Sequence, residues 1–400
     1  MKFLHLADLH IGKIVNSYNL LEDQRFALEG ILALVDKREV NAVVLAGDLY
    51  DKSVPSAEAV SLFDWFLTEL STRSVEVLGV PGNHDSAERI AYAQGILEKQ
   101  GIHFPPHFDG KVHSVTLFDE HGPVTFWLLP FLKPAQVRPF FPEADIQTDY
   151  TKALSCALTQ CNMDPCMRNI LIAHQFVTAS GQSTQRTDSE LNLGGVDNVD
   201  ASIFDAFDYV ALGHVHRAQR IGRDECRYAG SLLKYSFSES RFPKSAVLVS
   251  IDDKQPGDKA GACVSFELID YPILRDLREI RGPLDELTKP EFANQPDASD
   301  YLHVTLTDSF ERPDALARVR AVYPNVMILD RDTGTTRTRN DKAIAADIEN
   351  LDPFKLFEDF FEQQTSKKLS DLQAELAHQT MESALQHDAN GTEDKKEATR

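Results

Sequence analysis

The stretch VEVLGVPGNHD (75–85) decides how the chain is read. Val75 to Val80 is an apolar run of strand length, and Pro81-Gly82 stops it. Asn83 and His84 are poor strand residues, so the turn delivers two polar side chains together at a strand's carboxyl end. Open α/β sheets keep their ligands there. A lone Asn-His-Asp tripeptide is ordinarily a polar turn, and its meaning depends on the company it keeps.

Four other segments repeat the pattern of an apolar run stopped by Asp or His. They are HLADLH (5–10) with Asp8 and His10, VLAGDLYD (44–51) with Asp48, LIAHQF (171–176) with His174, and VALGHVH (210–216) with His214 and His216. One such histidine is ordinarily a core residue with a satisfied hydrogen bond, but five strand ends of this kind are hard to credit to core packing. Asp8 and Asp48 at neighbouring strand ends would repel unless cations sat between them. Asp8, His10, Asp48, Asn83, His174, His214 and His216 are too many ligands for one ion and suit two, about 4 Å apart, sharing a carboxylate. A carboxylate, amide and imidazole set without thiolate favours Mn, Fe, Co or Zn over Mg. Within DLH and HVH, residues two apart on extended chain point the same way, so each pair reaches one site.

The surrounding pattern predicts the frame. KFLHLAD, NAVVLAGD and VEVLGV read as strands, separated by helical periodicity in LEDQRFALEGILALVDKREV and SAEAVSLFDWFLTEL. A β-α-β-α-β order implies parallel pairing with right-handed crossovers. From about residue 111, KVHSVTLF and PVTFWLLPF read as antiparallel strands. RNILIAH, FDYVALGH, RYAGS, SAVLVSID and ACVSFELID supply more strands and close a first domain near residue 275. Residues 276–330 suggest a small α+β cap, and 331–350, opening with RDTGTTRTRN, a linker. Residues 351–385 then show amphipathic helix, with Phe354, Phe357 and Phe361 on one face and Leu369, Leu372 and Leu376 beyond, for docking a partner's helices or packing back on the cap. The tail 386–400 has no apolar period and is expected to be disordered.

With 400 residues, two or three domains are expected, and no apolar run reaches the length that spans a bilayer. The opening residues lack a signal-peptide core, so a cytoplasmic protein is expected. Five cysteines without a C-x-x-C pair argue against a disulfide framework or zinc ribbon, and Cys156, Cys161 and Cys166 read as scattered thiols. A net charge of -21 disfavours non-specific binding to a polyanion, so a nucleic-acid substrate would need cations, a basic patch or a partner. Arg186, Arg217, Arg220, Arg223 and Lys234 lie near the motifs and are the candidates for phosphate contacts, with an ordinary solvated surface as the alternative.

The order D-x-H, G-D, G-N-H-D, H, G-H-x-H across residues 8 to 216 resembles the calcineurin-like metallophosphoesterases. FLHLADLHIGK (3–13), AGDLYDKSVPS (46–56), VPGNHDS (80–86), YVALGHVHRAQ (209–219) and YAGSLLKYSFSES (228–240) are similar to the SbcD-type nuclease branch of that family. The resemblance implies an α/β/β/α two-sheet sandwich with a small α+β cap and C-terminal helices. It implies two divalent metals, Mn first among them with Mg, Fe, Co or Zn as alternatives. Asp8, His10, Asp48 and His216 would hold one metal, Asp48, Asn83, His174 and His214 the other, and Asp48 would bridge. It also implies in-line phosphodiester hydrolysis, with His84 stabilising the transition state or protonating the leaving oxygen. Asp85 would orient His84 or cap the turn; some relatives carry His where Asp51 stands, which leaves the role of Asp51 open. The implied activity is duplex 3'-5' exonuclease and single-strand or hairpin endonuclease on DNA, as a homodimer with an SbcC-type ATPase. The rival readings are a small-molecule phosphodiesterase or phosphomonoesterase on the same ligands, and a scaffold subunit with a vestigial metal site.

Overall fold

The computed structural model describes residues 1–179, 197–255 and 257–332, with scattered positions between 357 and 380. Arg186, the linker beyond Asp332, most of 351–385 and the tail lie outside the described residues.

The elements that build the layers run in chain order from β1 (Lys2–Leu6), α1 (Leu21–Arg38), β2 (Ala42–Ala46), α2 (Ala57–Thr72), β3 (Glu76–Val80) and β4 (Ile102–His103). There follow β5 (His113–Asp119), β6 (Gly122–Leu129), α3 (Tyr150–Leu158), β7 (Arg168–His174) and β8 (Tyr209–Gly213). The series continues with β9 (Gln219–Ile221), β10 (Arg223–Tyr228), β11 (Ser245–Ile251) and β12 (Val264–Asp270). After them come β13 (Leu277–Gly282), β14 (Tyr301–Leu306), α4 (Ala315–Val322) and β15 (Val326–Arg331).

The first sheet has the order β12-β11-β1-β2-β3-β4. β1 to β4 pair in parallel, and the return strand β11 pairs antiparallel with β1 and β12. The second sheet runs β9-β10-β8-β7-β6-β5, parallel from β6 through β10 and antiparallel at both edges. The β5–β6 hairpin is antiparallel as its alternating sequence suggests, but the sheet it joins is mainly parallel, and its central strands β7 and β8 are buried along their length and read as largely apolar runs.

Strand alternation sorts the side chains into layers. Phe3, Val44, Leu78, Phe126, Ile172, Tyr209 and Val247 fill the space between the sheets. Phe3 meets Phe126 and Tyr209 edge to face, with centroids 5.5 and 5.7 Å away. Leu4, Val43, Leu45 and Val77 point the other way, onto Leu28 and Ile31 of α1 and Phe63 and Phe66 of α2. Leu171, Val210 and Leu212 likewise meet Ala153 and Leu154 of α3. The result is the α/β/β/α sandwich, and truncating a ring such as Phe126 in its middle layer would cost about 3–5 kcal/mol.

The helices carry local signals for where they lie. Glu22 and Asp23 open α1 and Lys37 and Arg38 close it, matching the helix dipole. Ser56 caps α2 by accepting from the Ala59 N–H, and Asp149 caps α3 by accepting from Lys152 N–H.

The chain divides into two compact units. The first gathers Met1–Glu279, Asn294–His303 and Tyr323–Ile328; the second gathers Ile280–Ala293, Val304–Val322 and the described residues from Leu329 on. β13, β14 and β15 form a three-stranded sheet with β14 central, and its strands are shared between the units. No helix of the described residues is long and apolar enough to cross a membrane.

His5 is a satisfied core histidine. Its Nδ1 lies 3.0 Å from Tyr209 Oη and its Nε2 3.2 Å from the Leu212 carbonyl, which can only accept. Burial, with Arg227 nearby, lowers its pKa to about 3, so the folded protein keeps it neutral. Between pH 6.5 and about 3 the unfolded chain therefore binds a proton that the folded chain refuses. The stability that neutral His5 contributes is full above that window and lost as pH falls through it. In urea titrations from pH 7 to 4, the stability gap between wild type and His5→Gln should narrow, by at most about 1.4 kcal/mol per pH unit. A constant gap would show that His5 takes up a proton in the fold.

Candidate metal centre

The parallel strands bring their carboxyl ends to one edge of each sheet, and each chain segment turns sharply as it leaves. Asp8, His10 and Asp48 adopt φ of 51°, 44° and 48°, and His214 a φ of 104°. Left-handed backbone at non-glycine residues costs about 1–3 kcal/mol each and persists where the surroundings enforce it. Two glycines make the approach possible: a Cβ on Gly82 would lie 2.1 Å from Asp48 Oδ1, and one on Gly213 would lie 1.8 Å from the Ala46 carbonyl oxygen.

All seven candidate ligands come together. Asp48 Oδ2 lies 3.6 Å from His10 Nε2 and 3.4 Å from His174 Nε2. Asn83 Oδ1 stands 3.1 Å from His174 Nε2 and 2.9 Å from His214 Nδ1. His10 Nε2 and His216 Nε2 are 3.1 Å apart. Asp8 accepts the His214 N–H at 3.0 and 3.1 Å. Ligand atoms of Asp8, His10 and His216, of Asp8, Asp48 and His174, and of His10, Asp48 and His84 each fall within 4.8 Å of one another. Asp8, His10, Asp48, His174, His214 and His216 are buried, while Asn83 reaches in from the exposed turn.

The arrangement turns acceptors toward acceptors. His174 Nδ1 must donate to the Ala46 carbonyl 2.9 Å away, so Nε2 of the neutral ring presents a lone pair to Asp48 and Asn83 oxygens. His216 Nδ1 faces the Glu239 carboxylate at 3.1 Å, which leaves its Nε2 lone pair aimed at His10. His10 Nδ1 is buried without a hydrogen bond among the described residues. Burial raises the Asp8 carboxyl to about 6, with the Asp48 charge adding to it. Burial would raise Asp48 too, but His174, His10 and His84 hold it well below the carboxylate range. Burial would lower His174, and the Asp48 carboxylate instead lifts it to about 9. Within the chain, then, a proton on His174 relieves part of the conflict; divalent cations would relieve all of it, because every converging atom can donate a lone pair. The residues present fit a two-cation site.

A family model described as calcineurin-like phosphoesterase matches residues 1–218, more than half of the chain. The chain belongs to the calcineurin-like phosphoesterase family. A second model, the SbcD C-terminal domain, described as the type 5 capsule protein repressor C-terminal domain, matches residues 273–365. Together they make this member of the family SbcD-type. Among solved structures, a dimetal phosphatase from Danio rerio is 13% identical, with 68% of this chain and 99% of that chain covered at a TM-score of 0.35. A psychrophilic beta-glucosidase from Micrococcus antarcticus is also 13% identical, with 82% and 83% covered at a TM-score of 0.19. At these scores neither likeness carries an argument.

In a metal site the groups that orient the ligands matter as much as the ligands. His84 Nδ1 lies 2.9 Å from the Asp51 carbonyl, and its backbone N–H donates to Asp48 Oδ1 at 2.9 Å. The Asp51 main chain therefore orients His84, while its side chain pairs with Lys13 at 2.7 Å. Asp85 serves the turn: its oxygens accept from the N–H groups of Leu49, Tyr50 and Gly82 at 2.9–3.0 Å. His84 and Asn83 line an open depression of about 490 Å³ with Lys52, Ser53 and Val54.

The cations singled out for phosphate contact have partners within the chain. Arg217 stacks on Phe242, Arg220 pairs with Asp224, Arg223 donates to the Phe204 and Phe207 carbonyls, and Lys234 pairs with Asp276. The sequence reading missed Glu239, Lys244 and Phe131. Glu239 and Lys244 stand behind His216, and the Phe131 ring stacks on His214 with 20° between planes. Glu239 lies within the quoted YAGSLLKYSFSES, whose Ser-rich composition hides a buried carboxylate.

The tight turn yields a steric prediction. Gly82→Ala should displace Asp48, lower bound metal below two per chain by mass spectrometry, and cost about 1–3 kcal/mol in stability. Gly95→Ala, with open space around the new methyl, is the control and should leave both unchanged within about 1 kcal/mol.

Proposed function

We propose that the chain is a two-metal DNA nuclease: a duplex 3'-5' exonuclease and single-strand or hairpin endonuclease that works with an SbcC-type ATPase in DNA repair and recombination. The convergence of seven ligand side chains beside His84 carries the phosphodiesterase part of this reading. The match to an SbcD C-terminal domain supports the choice of DNA over a smaller phosphoester.

Two divalent cations, Mn first among the candidates, would supply Lewis acidity to the phosphoryl oxygens and lower the pKa of an attacking water. Asp8, His10, Asp48 and His216 would hold one, and Asp48, Asn83, His174 and His214 the other. His84 acts from the rim. With Nδ1–H donated to the Asp51 carbonyl, its Nε2 is the atom left to carry a proton to the leaving oxygen or a hydrogen bond to the phosphoryl group. Lys52, on the same depression, adds positive charge where a phosphate backbone would lie.

In this reading the first 275 residues form the nuclease domain, 276–330 a small α+β cap domain, 331–350 a linker and 351–385 the ATPase-docking segment, in a cytoplasmic homodimer. The acidic chain, at -21, relies on its cations and a basic partner for DNA affinity.

End-labelled linear duplex and hairpin DNA with Mn tests the assignment. Wild type should cut, and His84→Ala should keep two metals while losing about 10²–10⁴ in rate. Metal-loaded protein that leaves DNA intact with the ATPase present, yet turns over a chromogenic monoester, would move the assignment to a smaller phosphoester. In DNA binding across a salt series, the ATPase should raise both affinity and salt slope; equal values with and without it would sink the partner's electrostatic role.

A further inference from the structure

We infer that Glu239 is a positioning residue for His216 and that Lys244 holds its charge in place, so that this pair sets the affinity of one metal position and not the other. The inference rests on the two-cation reading above. Glu239 ends the short 3-10 turn Phe237–Glu239 and is fully buried. A buried carboxylate is costly unless it is paired and hydrogen-bonded. Lys244, itself 6% exposed, supplies the pairing, with Nζ 2.6 Å from Glu239 Oε2. The other carboxylate oxygen meets His216 Nδ1 at 3.1 Å.

A carboxylate only accepts, so the Nδ1 of His216 carries the proton and Nε2 faces the centre with its lone pair. The carboxylate also makes the ring a stronger donor toward a cation. The same lysine fixes the main chain: Lys244 Nζ donates to the His216 carbonyl at 2.9 Å, and Ser231 N–H donates to that oxygen at 3.1 Å. Ser231 Oγ, 2.8 Å from Lys244 Nζ and 3.3 Å from Glu239 Oε2, closes the cluster. Ring and backbone of His216 are thus tied to one buried ion pair. His174, on the other side of Asp48, has its hydrogen bond at the matching nitrogen with a neutral carbonyl, that of Ala46, and the nearest carboxylate there, Asp8, stands 3.9 Å away, beyond hydrogen-bond reach. The two halves of the centre differ in how strongly the protein enforces the ligand's tautomer and basicity. The half that contains His10 and His216 is the one that depends on Glu239.

The test uses the full chain and Mn(II), read by calorimetric titration and by electron paramagnetic resonance, which distinguishes a spin-coupled pair from a single ion. Wild type should bind two ions and give the coupled spectrum. Glu239→Gln should weaken one ion by about 10–100-fold, leave the other within about threefold, and give the single-ion spectrum at limiting Mn. Glu239→Asp keeps the charge for Lys244 but is one methylene short of His216; it should show the same selective loss, and it decides the matter if the Gln variant fails to fold. Both variants binding two ions at wild-type affinity would overturn the inference and leave the two-cation reading standing. Equal weakening of both ions, together with a lowered melting temperature, would make Glu239 structural and also overturn it. Wild type binding fewer than two ions would remove the two-cation reading itself.

Discussion

Asp48 is the point at which the separate segments of the site are held to one another. One of its oxygens accepts the His84 N–H, and the other stands within 3.6 Å of ring nitrogens of His10 and His174, which leave different sheets. Its carboxylate is buried 3% exposed, close to a second buried carboxylate, Asp8. Coulomb repulsion between such groups is strong where water is excluded, and the groups that offset the Asp48 charge are the imidazoles of His174, His10 and His84. Imidazoles are adaptable here. His174, lifted to about 9 by the Asp48 carboxylate against its burial, takes a proton when no cation is present and would yield a lone pair to one, so cation binding and proton release would be linked at that atom.

That linkage only works if the backbone refuses to relax. Four of the seven ligand residues sit at positive φ, and each would lower its own energy by returning to an ordinary conformation. They are kept from doing so by the sheets behind them, whose inner faces are closed with Phe3, Phe126 and Tyr209. The glycines of the Gly-Asp, Gly-Asn-His-Asp and Gly-His-Val-His segments belong to the same constraint. At Gly82 and Gly213 a single methyl would occupy space already filled by Asp48 or by the Ala46 carbonyl. The site is thus as much a packing feature as a set of candidate ligands.

The parts that were legible in the sequence are those where a residue's chemistry clashes with its local setting. An aspartate or histidine ending an apolar strand is such a clash, and Asp8, His10, Asp48, His174, His214 and His216 all stand out by it. The alternation of strands and helices up to β3 and the β5–β6 hairpin were legible for the related reason that burial follows period. The helix Tyr150–Leu158 was passed over, although Ala153, Leu154 and Ala157 share one buried face. The parallel core of the second sheet was hidden too, since a buried run of apolar residues looks alike in either direction. Glu239 could not be found, because a carboxylate among serines looks solvated until Lys244 is brought beside it from across a turn. The arginines and the lysine near the motifs show the reverse case. Arg217, Arg220, Arg223 and Lys234 looked available, and three-dimensional neighbours occupy them.

This last point bears on how an acidic chain meets an acidic polymer. If the arginines near the motifs are engaged in holding loops, positive potential at the surface cannot come from them at full strength. With a Debye length near 8 Å in physiological salt, the field of bound cations at the bottom of the depression reaches little beyond its rim. Attraction would then be felt only by a phosphate already at the mouth, next to Lys52 and His84. Such a site captures what is brought to it and does not gather substrate from a distance. Under the proposed function, long-range attraction to a polyanion would have to come from a second protein, because the net charge of the chain is -21.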